Sequence, residues 1–402
     1  MQIDPNPRAF LASARQSAQA AGHAQVVDAI NRFDELYDRK LWHQLSVEMD
    51  KFIALPQAQE YLTNFYFQFV RDFEAKLNKL SLVAGVGQAV AKHLPDNTSR
   101  ITYLLALADR VKPAPPKSGE EHLHVLDMEA TSAHLLATTQ AAYYQLLDGQ
   151  YETVLAHISA SEKRLDALDG VDTRVSSAFY RVAADYYKAK SAFAKFYKTS
   201  LLFLACVGDI EEIPADEAAE RAYELGLAAL LSDEIYNFGE LLMHPILDKL
   251  NGTPNEWLKG LLFTFNKGDI VAFEKGSKSL REPLLQQNLA MLQMKICLMA
   301  LIDFVFTRTS SDRVIPFSAI AQHTRLPLGE VEHLLMKALA LNLIKGTMDQ
   351  VDGTVTVTWV TPRVLDKSQV QGMVDMLDGW KSKVNALGER FKSEGAELFT
   401  SA

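Results

Sequence analysis

Two histidines one residue apart, His122 and His124, stand upstream of Ser132. One class of zinc hydrolase holds its metal with His-x-His, then seven residues, a serine, two residues and an aspartate, so that two imidazoles and a carboxylate converge on the ion. Here the aspartate position is Leu135, and the ligand set lacks its charged member. Glu121–Leu147 also carries a helical pattern, in which residues two apart face different directions. Solvated helix histidines are the reading, and no metal is expected.

The remaining chemical signals are weaker still. Gly85-Val-Gly87 could open a dinucleotide fingerprint, but a third glycine and a preceding strand are both missing, so helix-packing glycines are expected. No phosphate-cradling Gly-x-x-x-x-Gly-Lys-Ser/Thr and no Gly-x-Ser-x-Gly elbow occurs. Cys206 in LLFLACVG and Cys297 in MKICLMALI read as buried helix residues, not activated thiols. Two cysteines cannot build a disulfide framework, which points to a reducing compartment. No catalytic residue, cofactor site or enzyme activity is expected.

The elements around these residues are mostly helical. The 402 residues are 48% hydrophobic and 23% charged, enough for a sizeable core, and 20 glycines with 14 prolines are too few for a turn-dense all-β fold. The formal net charge of −9 argues against a protein whose main work is neutralising phosphates. MQIDPNPRAF lacks the basic and apolar regions of a signal peptide, and the longest apolar runs, such as Leu201–Val207, fall short of a membrane span. Cytoplasm and nucleus are the expected locations.

Residues 1–28, rich in Ala, Gln and Ser, read as a weakly packed lead-in. From 29 to 308 the pattern is helical. Tyr61, Leu62, Phe65, Tyr66, Phe69, Val70, Phe73 and Leu77 recur at helical spacing on one face. Leu80–Leu94 and Ile101–Val111 predict two more helices around a Pro95-Asp96-Asn97 break, and Lys112–Gly119 is a proline-rich loop. Gly149, in YQLLDGQY, and Gly268, in FNKGDI, punctuate helical hairpins, each glycine supplying the left-handed residue that ends one helix before the next begins. The turns are similar to those of tetratricopeptide repeats without a strict 34-residue period, so an irregular α-solenoid is expected.

At residue 309 the pattern changes, and 309–366 reads as a winged helix. After the polar break Thr309–Asp312 come an edge strand at Val314–Phe317, a helix at Ser318–Thr324, a turn at Arg325–Leu328 and a helix at Gly329–Leu343. Strands at Ile344–Val351 and Thr354–Val360 follow, joined by an Asp352-Gly353 hairpin turn. Alternation puts Val355, Val357 and Trp359 on one face, packing inward, and Thr354, Thr356 and Thr358 on the other, with the strand edge open to pairing with a neighbouring chain. The second helix offers Glu330, Glu332, His333 and Lys337 in place of the Arg, Lys, Asn or Gln of a groove reader. Residues 318–362 hold three basic and four acidic side chains, net −1, so protein partners are expected rather than nucleic acid.

Residues 367–402 form a terminal helix. Alternating steps of three and four from Val370 reach Met373, Leu377, Trp380, Val384, Leu387, Phe391, Glu394 and Leu398, and eight of these nine positions are apolar. A single helix cannot bury that seam, so it requires a partner within this chain or on another.

A helical solenoid running into a winged helix and a terminal helix resembles the layout of PCI-domain proteins, scaffolds of the proteasome lid, the signalosome and translation initiation factor three. The strings KLWHQL (40–45), FGELLMHP (238–245), FTR (306–308), EVE (330–332), MKAL (336–339), LIKG (343–346) and TWVTPRVLD (358–366) are similar to those of proteasome lid members. The resemblance implies a non-catalytic scaffold subunit whose winged-helix edge pairs with other PCI subunits and whose terminal helix joins a bundle. It also implies a solenoid near the ubiquitin-receptor subunit with a von Willebrand A-type domain, and the lid deubiquitinase module, which carries the metal, as a separate partner. An adaptor of another PCI complex, or a nucleic-acid-binding winged helix, is the alternative.

Overall fold

A computed structural model of the chain describes residues 7–113, 128–168, 170–208, 211, 213–277, 282–308, 313–364 and 367–394. His122, His124, most of the proline-rich loop, Thr309–Asp312 and Leu398 lie outside them. The fold is mainly α, a series of helical hairpins followed by a winged helix with a small sheet, as the pattern and the resemblance imply. Two compact units divide between Ile213 and Pro214.

The first unit opens with helices Pro7–Ala20, Ala24–Asp38 and Trp42–Ile53. The weakly packed lead-in expected at 1–28 is therefore corrected: Leu11, Ala14 and Ala18 are buried against the following elements. The apolar weight is low because small side chains let the backbones approach closely. The aromatic stripe forms the core, with Phe65 and Phe69, and Phe69 and Phe73, at ring separations of 5.0 Å, and Phe33 5.1 Å from Phe65. Its helix is not uniform, since Gln59–Phe65 runs into a π turn at Tyr66–Val70. A second π turn, Leu82–Gly87, interrupts the helix expected at 80–94. Helices Asn97–Val111, Met128–Leu147, Tyr151–Asp166, Thr173–Ala189 and Phe193–Cys206 complete the unit. Gly149 adopts φ of 77° at its hairpin, the left-handed conformation its turn requires.

In the second unit, Ala215–Leu231, Gly239–Met243 and Glu256–Lys267 lead to Leu289–Phe306. By length and composition that last helix could cross a membrane, contrary to the reading that no segment is apolar enough, but most of it is buried as a core helix. It packs on Phe317–Thr324, on Leu328–Ala340 and on the third strand, which is why the compact unit extends well before residue 309. The 308/309 limit marks the start of the winged helix, not of a separate unit. Gly268 ends Glu256–Lys267 in the left-handed conformation with φ of 66°.

The winged helix has three antiparallel strands, β1 (Val314–Pro316), β2 (Ile344–Asp349) and β3 (Thr354–Val360), in the order β1-β3-β2. Its core is Ile315, Ile320, Val331, Leu334, Leu335, Val355 and Val357, all buried. The wing turn is longer than the two residues expected. β2 stops at Asp349, whose carboxylate accepts the amides of Val351 and Asp352 at 3.0 and 3.1 Å, closing a four-residue loop at 350–353.

Candidate interaction surfaces

The winged helix offers two candidate contact regions, its sheet edge and the exposed side of Leu328–Ala340. Thr354, Val355, Thr356, Val357, Thr358 and Trp359 do not form an edge, which corrects the expectation. β3 lies between its neighbours, with Ile315 opposite Val355 and Met348 also opposite Val355. Sequence pattern alone gives the strand at 314–317 no register, and its pairing with β3 is what buries β3 in the sheet. Beyond the end of β1, the Val357 amide donates to the Arg313 carbonyl at 3.0 Å and the Arg313 guanidinium donates to the Thr358 carbonyl at 3.2 Å. The unpaired edges belong to β1 and β2.

Val355 and Val357 face inward as expected, but Trp359 is 38% exposed. The cause is a slip in register: from Gly346 to Lys345 β2 advances one residue while β3 advances two, from Val357 to Trp359, leaving Thr358 as the extra residue. That bulge turns Trp359 from the inner face, and the Lys345 ammonium stacks over its ring at 5.0 Å.

Leu328–Ala340 buries Val331, Leu334, Leu335 and Ala338 and exposes Glu330, His333, Met336 and Lys337. Glu332 accepts a hydrogen bond from Gln350 at 3.2 Å, tying the helix to the wing. This face carries little positive charge for phosphates.

The terminal helix, Lys367–Glu394, holds the largest apolar surface. Val370, Met373, Leu377, Trp380, Val384, Leu387 and Phe391 are between 46% and 67% exposed, so nothing among the described residues covers the seam. Val374 and Met376 are exposed beside it, so the apolar surface is wider than the heptad count suggests.

Among the described residues no three His, Cys, Asp or Glu side chains cluster to hold a metal. Burial, with Glu274 and Glu330 adding to it, pushes the Cys297 thiol up to about 11, and burial also raises that of Cys206, so neither is an activated thiolate. Ser132 and Leu135 are both buried in the helix Met128–Leu147.

Comparison with known proteins agrees with this architecture. The family of PSD13 N-terminal repeats matches residues 29–262, and the PCI domain matches residues 274–359. The chain is 38% identical over 366 residues to the 26S proteasome non-ATPase regulatory subunit 13 of Dictyostelium discoideum, covering 89% of this chain and 90% of that one. It is 36% identical over 384 residues to homolog A of the same subunit from Arabidopsis thaliana, covering 94% and 96%. With the 26S proteasome regulatory subunit RPN9 of Saccharomyces cerevisiae it shares 34% identity over 379 residues, 92% and 93% of the two chains. Likeness at this level along nearly the whole length, with both family regions in order, makes the chain a member of the 26S proteasome non-ATPase regulatory subunit 13 family.

Proposed function

We propose that the chain is a non-catalytic scaffold subunit of the 26S proteasome lid, supporting lid assembly and so ubiquitin-dependent protein degradation. The observation that carries this reading is the seam of the terminal helix, seven apolar side chains at heptad spacing held in water. Helices of other PCI subunits would cover it. The free edge of β2, Ile344–Asp349, is the second contact and would accept a strand from a neighbouring winged helix. The von Willebrand A-type ubiquitin receptor and the lid deubiquitinase module are the further partners that membership of the family suggests, and cytoplasm and nucleus the locations.

The test is Leu377→Asp combined with Leu387→Asp in the full-length chain. Both side chains are more than half exposed, so the free protein should keep its melting temperature. Covering each leucine contributes about 1.5–3 kcal/mol, so losing both should weaken incorporation by roughly 10²- to 10⁴-fold. Affinity purification from native extract should then recover the tagged variant without lid subunits. Normal incorporation of the variant would refute bundling through this seam.

A further inference from the structure

Within the first unit, the helices Met128–Leu147 and Thr173–Ala189 and the π turn Leu82–Gly87 line an open cavity of about 640 Å³. That volume lies in the range of sites that enclose ligands. Gln140 lines it and is 8% exposed. Neither its amide nitrogen nor its amide oxygen has a hydrogen-bond partner among the described residues. Native interiors rarely leave both ends of a buried amide unpaired, because each unmet group has lost its water without gaining a partner. An amide kept in that state within the wall of a cavity can pair with something that enters once its side chain turns outward.

The rest of the lining states what that is. Lys92 on the helix Gln88–His93, and Arg174 and Arg181 on Thr173–Ala189, are exposed at the cavity, with Asp50 as the acidic residue among the lining groups. The lining is thus net +2 in a chain of net −9. Leu136, Val182 and Phe203 supply apolar wall. Gly85 keeps the Asp50 side of the site tight, since a Cβ there would meet the Asp50 carboxylate oxygen at 2.8 Å. Gly85 belongs to the π turn, and such turns occur frequently at functional sites. A donor and an acceptor side by side on Gln140 match the C=O and N–H of an extended peptide backbone, and the cations match carboxylates.

We propose that this cavity binds an acidic, extended peptide segment of a partner protein, with Gln140 pairing its backbone and Lys92, Arg174 and Arg181 its carboxylates. The site is independent of the terminal seam and of the wing edge.

The experiment uses the purified full-length chain and two fluorescein-labelled heptapeptide mixtures. One has Glu fixed at the third and fifth positions, the other Lys, with the remaining positions random. Fluorescence anisotropy at 150 mM salt should show saturable binding of the Glu mixture with at least tenfold preference over the Lys mixture. Gln140→Leu, and separately Arg174→Glu with Arg181→Glu, should each weaken it at least tenfold with circular dichroism unchanged. Should Gln140→Leu disturb the fold, Ala178→Trp, which fills the cavity from its wall, must abolish binding in its place. Equal binding of the two mixtures, no binding, or insensitivity to the Gln140 and Ala178 changes would overturn the proposal. Displacement of the Glu mixture by millimolar ATP, with the same sensitivity to Gln140→Leu, would reassign the site to nucleotides and overturn it equally.

Discussion

Lys295 is 2% exposed on the core helix Leu289–Phe306, and its ammonium donates to the carbonyls of Ala229, Leu230 and Ser232 at 2.7, 3.2 and 2.6 Å. Those carbonyls close the C-terminal end of Ala215–Leu231, where the helix dipole is negative and the last oxygens lack helical partners. The rings of Tyr236 and Phe238 lie 5.3 Å away. Burial nevertheless lowers the lysine from 10.5 to about 7, against a smaller upward pull from Asp233. The unfolded chain therefore binds the proton more tightly between pH 7 and 10.5, and the native state gains stability as pH rises across that window. The slope is about 1.4 kcal/mol per pH unit, which gives nearly 3 kcal/mol from pH 7 to pH 9. Lys295→Met keeps the volume but removes three hydrogen bonds, worth about 1 kcal/mol each. Near pH 7 the relief of desolvation offsets most of that loss, so the variant should stand within about 1 kcal/mol of the parent. By pH 9 it should be about 3 kcal/mol worse. Urea unfolding followed by tryptophan fluorescence suits the measurement, because Trp257, Trp359 and Trp380 all lie in the second unit. Subtracting the two curves removes every other titration. Parallel curves from pH 7 to pH 9 would refute the reasoning.

Gly268→Ala should destabilise the second unit by about 2–5 kcal/mol, because the position needs φ of 66° and a Cβ would lie 2.6 Å from the Ala300 Cα. Thermal melting monitored by circular dichroism reads it. Gly346→Ala would place a Cβ 2.2 Å from the Thr356 carbonyl oxygen, and should part β2 from β3 with a loss of about 2–3 kcal/mol and a red shift of Trp359 emission. His157 is held down to about 4, chiefly by burial and then by Arg164 and His134, while its ring lies 3.3 Å from the Thr139 hydroxyl and 3.2 Å from that of Ser161. The unfolded chain takes up this proton first, so stability is intact above pH 6.5 and should fall by about 3 kcal/mol as pH drops to 4. His157→Gln should flatten that acid limb in urea titrations at stepped pH.

The parts of this fold that were legible in the sequence are those with local causes. The aromatic stripe from Leu62 to Phe73 was readable because helical period and burial coincide, and Gly149 and Gly268 because one conformation accounts for both. Strand-helix-helix-strand-strand order marks the winged helix without reference to any contact. What escaped depends on distant partners. The π turns at Tyr66–Val70 and Leu82–Gly87 shift a backbone hydrogen bond by one residue to suit packing elsewhere, and no composition marks them. The inner position of β3 requires Val314 to meet Thr356 across more than forty residues, and the exposure of Trp359 follows from an extra residue, Thr358, in the register of β3 against β2. The helix Pro7–Ala20 escaped because alanine buries well yet adds little to an apolar count. Of the candidate surfaces, the apolar seam is evident from its heptads, whereas the cavity lined by Gln140 assembles residues from several separate helices and has no motif.

The terminal helix also carries Gly372, Gly379 and Gly388, none with any neighbour within 4 Å of where a Cβ would stand. Each glycine weakens an unsupported helix by about 1 kcal/mol relative to alanine. A helix whose stripe is bare and whose propensity is diluted three times over has little beyond its own ladder to hold it. Its helical population should then track the concentration of whatever covers it, by mass action. Before incorporation the segment would exchange its amides quickly and be open to proteases, and afterwards it would be among the slower parts of the chain. Order at this end of the protein is thus a reporter of company, and hydrogen exchange at 370–391 would date the moment a free subunit becomes an assembled one.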